Sequence, residues 1–389
     1  MPRRRLCVIT GSRAEYGLLY WVLHDLRAAP DIDLQLVVTG MHLAPEFGLT
    51  VRDIERDGFS ISRRVDMLLS GDTPAATAKS IGLGIIGMSD ALESLAPDLV
   101  LVLGDRFEIF AAVQACLVQN LPVAHIAGGD TTEGAIDEAI RHSITKMAHL
   151  HLVTNELAAR RVRQLGEDPQ HIHIVGSPGL DHLRRRALLG RNELEAALES
   201  RLGNRNLLVT FHPVTLEPET SEQQFVELLA ALDSLGASTT IWFTRPNADA
   251  GGRAMATALD AWATPRGAYV RVHASLGQLR YLSLMAQADA VVGNSSSGLY
   301  EAPSLRVPTV DIGDRQRGRL AAASVVHCEP KREAIRTALD SAATLDCLEV
   351  VNPYGDGRSA ERIVNLLRAL PPAAELLKKS FHLLASAYG

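Results

Sequence analysis

The chain has 389 residues, of which 47% are apolar and 22% are charged, a balance that is typical of globular proteins. Because a single hydrophobic core stops growing at roughly 250–300 residues, this length predicts two domains. The formal net charge of −6 gives the protein no general basic field, which argues against a nucleic-acid partner and against an anionic membrane surface.

The N-terminal segment and the cysteines indicate the compartment. Arg3–Arg5 look like the start of a signal peptide, but the apolar run that follows ends at Thr10, and no run reaches the ~18 apolar residues of a membrane helix. The four cysteines lie far apart and form no CxxC pair: Cys7, Cys116, Cys328 and Cys347. Buried free thiols in a reducing compartment are expected, and we predict a soluble, cytoplasmic protein.

The first half of the chain alternates short apolar runs with helical stretches. Continuous apolar runs separated by amphipathic helices are typical of a parallel sheet that is covered on both faces. This pattern predicts a Rossmann-like domain over residues 1–185. The runs lie at 6–10, 34–38, 99–103, 123–127, 150–154 and 172–175.

The alternation stops between residues 181 and 205, where an Arg-rich and Glu-rich segment has no strand-like run. We therefore place the interdomain linker there and a second Rossmann-like domain over 186–370. Such sheets bind ligands beyond the carboxyl ends of their strands, so the predicted α/β fold has two doubly wound domains with a ligand site in a central cleft. The second series of runs lies at 207–211, 239–244, 268–272, 290–294 and 309–313.

The last stretch, from Ser359 onward, is predicted to form two helices. Pro371-Pro372 ends the first helix and can open the second. The second helix, within 371–389, is expected to pack back on the N-terminal domain. The chain has no short internal repeat and no low-complexity segment.

The first apolar run leads into Gly11-Ser12-Arg13, a turn of small residues with an arginine at the mouth of a helix. The spacing of a GxGxxG dinucleotide site is missing, and no GxxxxGK[ST] loop occurs in the chain, which argues against nicotinamide and ATP chemistry. Arg13 is a candidate phosphate ligand. The alternative is a solvated side chain or one paired with Glu15.

Charged residues follow the apolar run 99–103. Asp105 and Arg106 come directly after a strand that is otherwise too apolar to tolerate charge. A carboxylate whose ionisation is controlled by a neighbouring arginine is a candidate acid or base. A purely structural salt bridge is the alternative.

The densest candidate site follows the run 123–127. Its glycines can let the backbone approach a ligand, and its carboxylates lie near a helix N-terminus, where the dipole favours ionised acids. Four acids exceed what helix capping needs, although Asp137 and Arg141 alone would also fit an ordinary helix-surface pair. The four acids are Asp130, Glu133, Asp137 and Glu138.

In the second domain, His212 comes directly after the run 207–211, and the proline that follows holds the loop extended. His212 is a candidate functional residue, with a structural histidine as the alternative.

A Gly-Asn-Ser-Ser-Ser-Gly segment, which contains Asn294, Ser295 and Ser296, joins a later apolar run to a helix. Small hydroxyl residues and exposed amides at a helix N-terminus predict a phosphate-binding loop. Glu301 is predicted to lie within that helix, where its carboxylate can accept hydrogen bonds from ribose hydroxyls. Plain helix capping is the alternative for a single serine.

Seven segments together resemble the hydrolysing UDP-N-acetylglucosamine 2-epimerases, and the resemblance runs over nearly the whole chain. Their order and spacing make the match specific, whereas any one alone would be weak. The segments are TGSRAEYG, LGDRFE, HIAGGDTTEGAIDEAIRHSITKMAHLH, GSPGLD, FHPVT, GNSSSGLYEAP and DIGDRQRGR.

The resemblance implies the GT-B architecture, with UDP held mainly by the second domain and the sugar facing the first. It implies UDP contacts from five residues: Arg13, Ser295, Ser296, Glu301 and Arg315. His212 and Arg106 would face the pyrophosphate or the sugar, and the catalytic acids would come from Asp105 and Asp137.

One position departs from the family pattern. The sialic-acid members carry a catalytic glutamate where this chain has Ala127, so Asp130 or Glu133 would supply that carboxylate. Related enzymes that act on UDP-N,N'-diacetylbacillosamine share the fold and most motifs, which makes this sugar the alternative substrate to UDP-N-acetylglucosamine (UDP-GlcNAc).

The implied reaction converts UDP-GlcNAc and water to N-acetylmannosamine and UDP, for the synthesis of sialic-type acids. UDP is eliminated to give a 2-acetamidoglucal, which is then hydrated, so the reaction needs a carboxylate base, an acid and stabilisation of the leaving diphosphate. No cofactor and no metal are expected. The pairs His149/His151 and His171/His173 share strand faces, and ordinary packing accounts for them.

Three other functions stay open at this point. A non-hydrolysing epimerase would return UDP-N-acetylmannosamine, and a GT-B glycosyltransferase would need an acceptor groove that the sequence does not reveal. A UDP-sugar-binding regulator without catalysis is suggested only by Ala127. The resemblance also implies a homodimer or homotetramer.

Overall fold

The computed structural model describes residues 3–71, 73–131, 136–212, 218–245, 252–274 and 276–384. The chain divides into two compact units. The first combines Met1–His182 with Tyr354–Gly389, and the second is Leu183–Pro353.

Each unit contains one parallel sheet. In chain order the strands are β1 (Arg4–Thr10), β2 (Ile32–Thr39), β3 (Arg63–Val65), β4 (Leu99–Leu103), β5 (Val123–Ile126), β6 (Leu150–Val153), β7 (Ile172–Ile174), β8 (Arg205–Thr210), β9 (Thr239–Thr244), β10 (Val270–His273), β11 (Ala290–Gly293), β12 (Thr309–Ile312) and β13 (Val325–Cys328). The first sheet has the order β3-β2-β1-β4-β5-β6-β7, and the second has the order β10-β9-β8-β11-β12-β13.

The α-helices lie mainly in the connections between strands. They are α1 (Arg13–Ala28), α2 (Val51–Arg56), α3 (Pro74–Leu95), α4 (Phe107–Val118), α5 (Ile136–Met147), α6 (Glu156–Gln164), α7 (Asp181–Arg185), α8 (Arg191–Leu198), α9 (Pro218–Asp233), α10 (Gly252–Ala263), α11 (Gly277–Met285), α12 (Ser297–Tyr300), α13 (Arg332–Ala343), α14 (Ser359–Ala369) and α15 (Ala373–Leu376). Among the described residues, no helix is both long enough and apolar enough to cross a membrane.

Both faces of the first sheet are buried, which explains why its strands are apolar without alternation. Leu6 and Val8 of β1 belong to one core cluster with side chains of α1 and α14. Cys7 and Ile9, which point to the opposite face, belong to another cluster with side chains of α3, α4 and α5. The second sheet is covered in the same way. The prediction of two Rossmann-like, doubly wound units is confirmed.

The strand order reverses once in each sheet, between β1 and β4 in the first and between β8 and β11 in the second. Ligands of open parallel sheets bind at such a switch point, beyond the carboxyl ends of the strands. The motifs after 6–10 and 99–103 lie at the first switch point, and those after 207–211 and 290–294 lie at the second.

Two of the four edge strands, β3 and β13, were not predicted. β3 has only three residues, two of them arginine, and β13 is half-exposed. Neither therefore shows the continuous apolar run that marks the central strands.

The boundary of the second domain differs from the prediction of 186–370, because the chain returns to the first unit at Tyr354. Ile363 and Leu367 of α14 are fully buried in the core cluster that contains α1. The Asp181 carboxylate accepts hydrogen bonds from the backbone N–H groups of Ser359 and Ala360, at 3.0 and 3.2 Å, and so caps α14.

The predicted C-terminal helix within 371–389 is shorter than expected. Within its described part, 371–384, only Ala373–Leu376 is helical, and residues 377–384 have no regular structure. All four cysteines are free and buried, as predicted.

Candidate active site

The candidate site of the first unit is organised around Arg141, a side chain of α5 that is only 4% exposed. Its Nε donates to Asp105 Oδ2 at 2.9 Å, and its Nη2 contacts the same oxygen. Its Nη1 donates to Glu138 Oε2 at 2.9 Å and to the carbonyl of Asp130 at 2.5 Å. Arg141 therefore joins the loops after β4 and β5. Among the described carboxylates it forms ion pairs with Asp105 and Glu138.

Asp137 is half-buried on the first turn of α5, near Asp105. Burial and the negative charge of Asp105 raise the pKa of Asp137, although Arg106 and Arg141 act in the opposite direction. The two predicted catalytic acids thus have different surroundings: Asp105 is ion-paired, and Asp137 holds its proton more readily than an ordinary aspartate.

Asp130 has a structural role in this arrangement. Its carboxylate accepts hydrogen bonds from Thr154 Oγ1 at 2.9 Å and from Asn155 Nδ2 at 3.4 Å, and its carbonyl accepts from Arg141. Asn155 in turn caps α6. The loop after β5 is therefore tied to the end of β6. Glu133, the other candidate for this carboxylate, lies outside the described residues.

The glycines after β5 are required by the protein's own packing. Gly129 has a φ of +78°, and a Cβ there would lie 2.4 Å from the carbonyl oxygen of Ala158. Ala127 itself has a positive φ of 63°, a conformation that non-glycine residues rarely adopt. These glycines were predicted to let the backbone approach a ligand, whereas the close approach at Gly129 is to α6.

Two buried glutamates near Arg106, Glu108 and Glu15, were not predicted as site residues. Glu108 on α4 accepts from Arg106 Nε at 3.1 Å and from Nη2 at 2.9 Å, so Arg106 is held in a bidentate ion pair. Glu15 on α1 accepts from the Gly11 N–H at 2.8 Å. Burial and then the negative charge of Glu108 raise the pKa of Glu15 to about 8. In the sequence, the only indication of Glu15 and Glu108 was their position inside the TGSRAEYG and LGDRFE segments.

Arg13 is exposed at the first position of α1. Within the described part of the chain it makes no ion pair, because Glu15 instead accepts from Gly11 and Ser12. The guanidinium is therefore available to an anionic ligand.

The candidate site of the second unit is organised around Asn294, which is buried directly after β11. Its Oδ1 accepts from the His212 N–H at 2.7 Å, and its Nδ2 donates to the His212 carbonyl at 2.8 Å. Its carbonyl accepts from Arg315 Nη1 at 3.0 Å and from Gln316 Nε2 at 2.8 Å. Asn294 thus brings together His212 and Arg315, which are far apart in the sequence.

The serine loop after Asn294 is held by hydroxyl contacts. Ser297 Oγ lies 2.6 Å from Tyr281 Oη and 3.0 Å from Ser295 Oγ. The helix that follows has only four residues, so its dipole is weaker than that of the longer helix we predicted. Glu301 is the C-cap of this helix and does not lie within it, and burial raises the pKa of its carboxyl to about 7.

A sequence profile described as UDP-N-acetylglucosamine 2-epimerase matches residues 24–368. The chain belongs to the UDP-N-acetylglucosamine 2-epimerase family. This confirms the family that the seven sequence segments indicated.

Two relatives illustrate the range of this epimerase family. The chain is 39% identical, over 329 residues and 85% of each chain, to a protein of Campylobacter jejuni named GDP/UDP-N,N'-diacetylbacillosamine 2-epimerase (hydrolyzing). It is 32% identical to the UDP-N-acetylglucosamine 2-epimerase of Neisseria meningitidis, over 94% of this chain and 95% of that one.

The fold of the epimerase chain is also found among solved structures. The crystal structure of a UDP-GlcNAc 2-epimerase from Neisseria meningitidis, bound to UDP-GlcNAc, matches with a TM-score of 0.80 at 18% identity. The match covers 94% of this chain and all of that chain. This likeness confirms the fold class.

The described residues of the epimerase include no group of three or more His, Cys, Asp or Glu side chains arranged to hold a metal ion. The first histidine pair takes part in packing: His149 Nδ1 accepts from the Val123 N–H at 3.2 Å, and His151 Nε2 lies 2.9 Å from Glu167.

Proposed function

We propose that the protein is a hydrolysing UDP-GlcNAc 2-epimerase, which converts UDP-GlcNAc and water to N-acetylmannosamine and UDP. The observation that carries this proposal is a pair of carboxyls: Asp105, which follows β4 and is ion-paired with Arg141, and Asp137, on the first turn of α5, whose pKa is raised. Pairs of acids whose surroundings differ in this way suit reactions that need both a base and an acid.

The reaction requires such a pair. The hydrogen on carbon 2 of the sugar is poorly acidic, and its removal by a carboxylate is coupled to the loss of UDP, which gives a 2-acetamidoglucal. Water then adds across the double bond with proton donation to carbon 2. We assign the proton donation to Asp137, which retains its proton more readily, and the proton removal to Asp105.

The second unit is assigned to UDP. Ser295, Ser296 and Arg315 offer hydroxyls and a guanidinium for the diphosphate, and His212 is held beside them by Asn294. Glu301 is assigned to the ribose hydroxyls. Stabilisation of the leaving diphosphate by such fixed donors lowers the barrier to elimination. Arg13 and Arg106 are further candidate ligands of the anionic substrate.

A time course by NMR in deuterated water tests the proposal. Release of UDP together with a free 2-epimerised sugar that carries deuterium at carbon 2 is expected. Formation of UDP-N-acetylmannosamine would contradict hydrolysis and indicate the non-hydrolysing reaction. Binding of the substrate without turnover would contradict the proposed activity and indicate a regulator.

UDP-N,N'-diacetylbacillosamine is the second candidate substrate. It is favoured by the name of the 39% identical relative and by Ala127, whose methyl group replaces the larger side chain of the sialic-acid enzymes. The same NMR experiment run in parallel with both UDP-sugars decides between them, because the ratio of the two kcat/KM values defines specificity.

We also propose that two copies associate through one face of α3. Leu83 and Ile86 on this face are 42% and 64% exposed. Three exposed charges lie on the same side of the helix: Lys79 precedes the two apolar residues, and Asp90 and Glu93 follow them. None of these three charges has an ion-pair partner among the described residues. An antiparallel pair of such helices about a two-fold axis places Lys79 of each copy opposite the acids of its partner.

We propose a cytoplasmic location for the enzyme. The four free, buried cysteines fit a reducing compartment.

A further inference from the structure

The C-terminal tail, residues 377–384, contacts the end of α5 that lies away from the candidate active site. Lys379 Nζ donates to the carbonyl of Lys146 at 2.8 Å and to the carbonyl of Ala148 at 2.6 Å. The last four carbonyls of an α-helix have no partner within the helix, and a cation is favourable there. The tail therefore caps the C-terminus of α5.

A buried carboxylate holds this cap in place. Glu167 is 1% exposed, and its oxygens contact Lys379 Nζ at 2.7 Å, Lys146 Nζ at 2.5 Å and His151 Nε2 at 2.9 Å. Burial raises the pKa of Glu167, but the three hydrogen bonds outweigh it and hold the pKa at about 2. The Glu167 carboxylate thus joins α5, β6 and the tail.

Two further contacts fix the tail beside Lys379. The backbone N–H of His382 donates to the Gly166 carbonyl at 2.9 Å. The Phe381 ring lies against Gly166, where a Cβ would be 2.4 Å from the ring, and 5.0 Å from Lys146 Nζ. The ring itself remains 65% exposed, so this segment adds little to the hydrophobic core.

The other end of α5 carries the residues assigned to catalysis. Asp137 and Arg141 lie on its first two turns, and Asp137 is about 14 Å along the helix from Lys146. Because a helix moves as a rigid rod, a shift of its C-terminal end displaces both side chains relative to Asp105, and a misplacement of about 1 Å can reduce a rate about 100-fold.

We infer that Lys379 is a positioning residue for the epimerase reaction: by capping α5 it fixes where Asp137 and Arg141 lie relative to Asp105. This inference rests on the proposed function. Removal of the Lys379 ammonium leaves Glu167 paired with Lys146 and His151, so the first unit is expected to remain folded.

The test compares Lys379→Met with Lys378→Met in the full-length protein. Lys378 is exposed and has no hydrogen bond or ion pair among the described residues, so the second substitution makes the same chemical change without touching α5. We expect kcat of Lys379→Met to fall about 10- to 100-fold with KM within about twofold, and Lys378→Met to match the wild type. Lys379→Arg, which keeps the donors, should retain most of kcat.

Hydrogen exchange supplies a readout that does not depend on turnover. Amides in residues 141–147 should exchange faster in Lys379→Met than in the wild type, and at the wild-type rate in Lys378→Met. The inference would be overturned by an unchanged kcat, by a rise in KM as large as the expected fall in kcat, or by unchanged exchange in residues 141–147. If the wild type itself turns over no UDP-sugar, the proposed function fails, whereas the exchange measurement still decides whether Lys379 caps α5.

Lys379→Gln is the second variant if the Met substitution lowers the yield of folded protein. Its amide can still donate to one carbonyl, so a smaller fall in kcat in the same direction is expected. A Gln variant that equals the wild type in both kcat and exchange would also overturn the inference.

Discussion

At the level of single residues, the candidate sites depend on buried polar side chains that orient their neighbours. Arg141 places Asp105, Glu138 and the backbone of Asp130, and Asn294 places His212 and Arg315. The sequence motifs did not indicate that Arg141 and Asn294 hold these neighbours in place. When a buried polar side chain of this kind is removed, its hydrogen-bond partners are left without a replacement. Substitution of Arg141 or Asn294 is therefore expected to disturb several neighbours at once.

The first prediction concerns Asp105. Asp105→Asn should lower kcat by about 10²- to 10⁴-fold, because it removes a charged acid/base group, and should change the Kd of UDP only a few-fold, since UDP is assigned to the second unit. Steady-state kinetics and calorimetric titration with UDP measure the two effects. Asp33→Asn, an exposed aspartate on β2, is the matched control. Unchanged turnover would remove Asp105 from the catalytic set.

The second prediction concerns the pH dependence of stability. The carboxyl of Glu15 has its pKa raised from 4.5 to about 8 in the folded protein, so between these values the folded chain binds more protons than the unfolded chain. Rising pH therefore lowers the free energy of unfolding over this range. Glu15→Gln removes the titrating group, so its thermal midpoint should rise relative to the wild type between about pH 5 and about pH 8. A difference that stays constant with pH would contradict the raised pKa.

At the level of secondary-structure elements, the junction between β11 and the serine loop is the most constrained point of the second unit. Gly293 has a φ of +131°, and a Cβ there would lie 1.9 Å from the Thr210 carbonyl oxygen of the neighbouring strand. The close contact brings Asn294 next to the end of β8: its backbone N–H donates to the Thr210 carbonyl at 3.2 Å, and its side chain bonds to the backbone of His212, which follows β8. The helix α12 that follows has only four residues, so its dipole is small. The loop therefore offers an anionic ligand mainly hydroxyl groups.

The third prediction follows from this junction. Gly293→Ala should destabilise the second unit by at least about 1–3 kcal/mol and weaken UDP binding, because the added methyl group displaces the loop. Gly17→Ala is the control, since Gly17 lies in α1 with open space at its Cβ, and there the change should stabilise the helix by about 0.5–1 kcal/mol. Thermal unfolding and UDP titration measure both variants. Equal effects of the two substitutions would contradict the steric argument.

At the level of the whole molecule, the exposed apolar face of α3 makes the assembly testable. Leu83→Glu with Ile86→Glu should convert a dimer to a monomer, because four like charges would face each other across the two-fold axis. Lys79→Glu should weaken the dimer, and addition of Asp90→Lys and Glu93→Lys should restore it. Light scattering coupled to size exclusion measures the mass. A wild-type monomer, or a dimer that survives the double Glu substitution, would contradict the proposed interface.

The sequence alone predicted the two doubly wound sheets, their central strands and the loops that follow them. This was possible because a strand buried on both faces must be apolar throughout, and because ligand-binding residues of such sheets follow the strands. The same reasoning placed Asp105, His212 and the serine loop after strands at the two switch points, and Asp137 after β5.

The tertiary structure decided what local patterns do not encode. Arg141 pairs with Asp105, 36 positions away. The chain after Tyr354 returns to the first unit. Lys379 donates to the carbonyl of Lys146 on α5, 233 positions before it. Each of these contacts joins residues of the first unit that are distant in sequence, and its energy depends on burial and geometry that exist only once that unit has folded. Periodicity and motif spacing report local structure, and these pairings are settled by the packing of the whole chain.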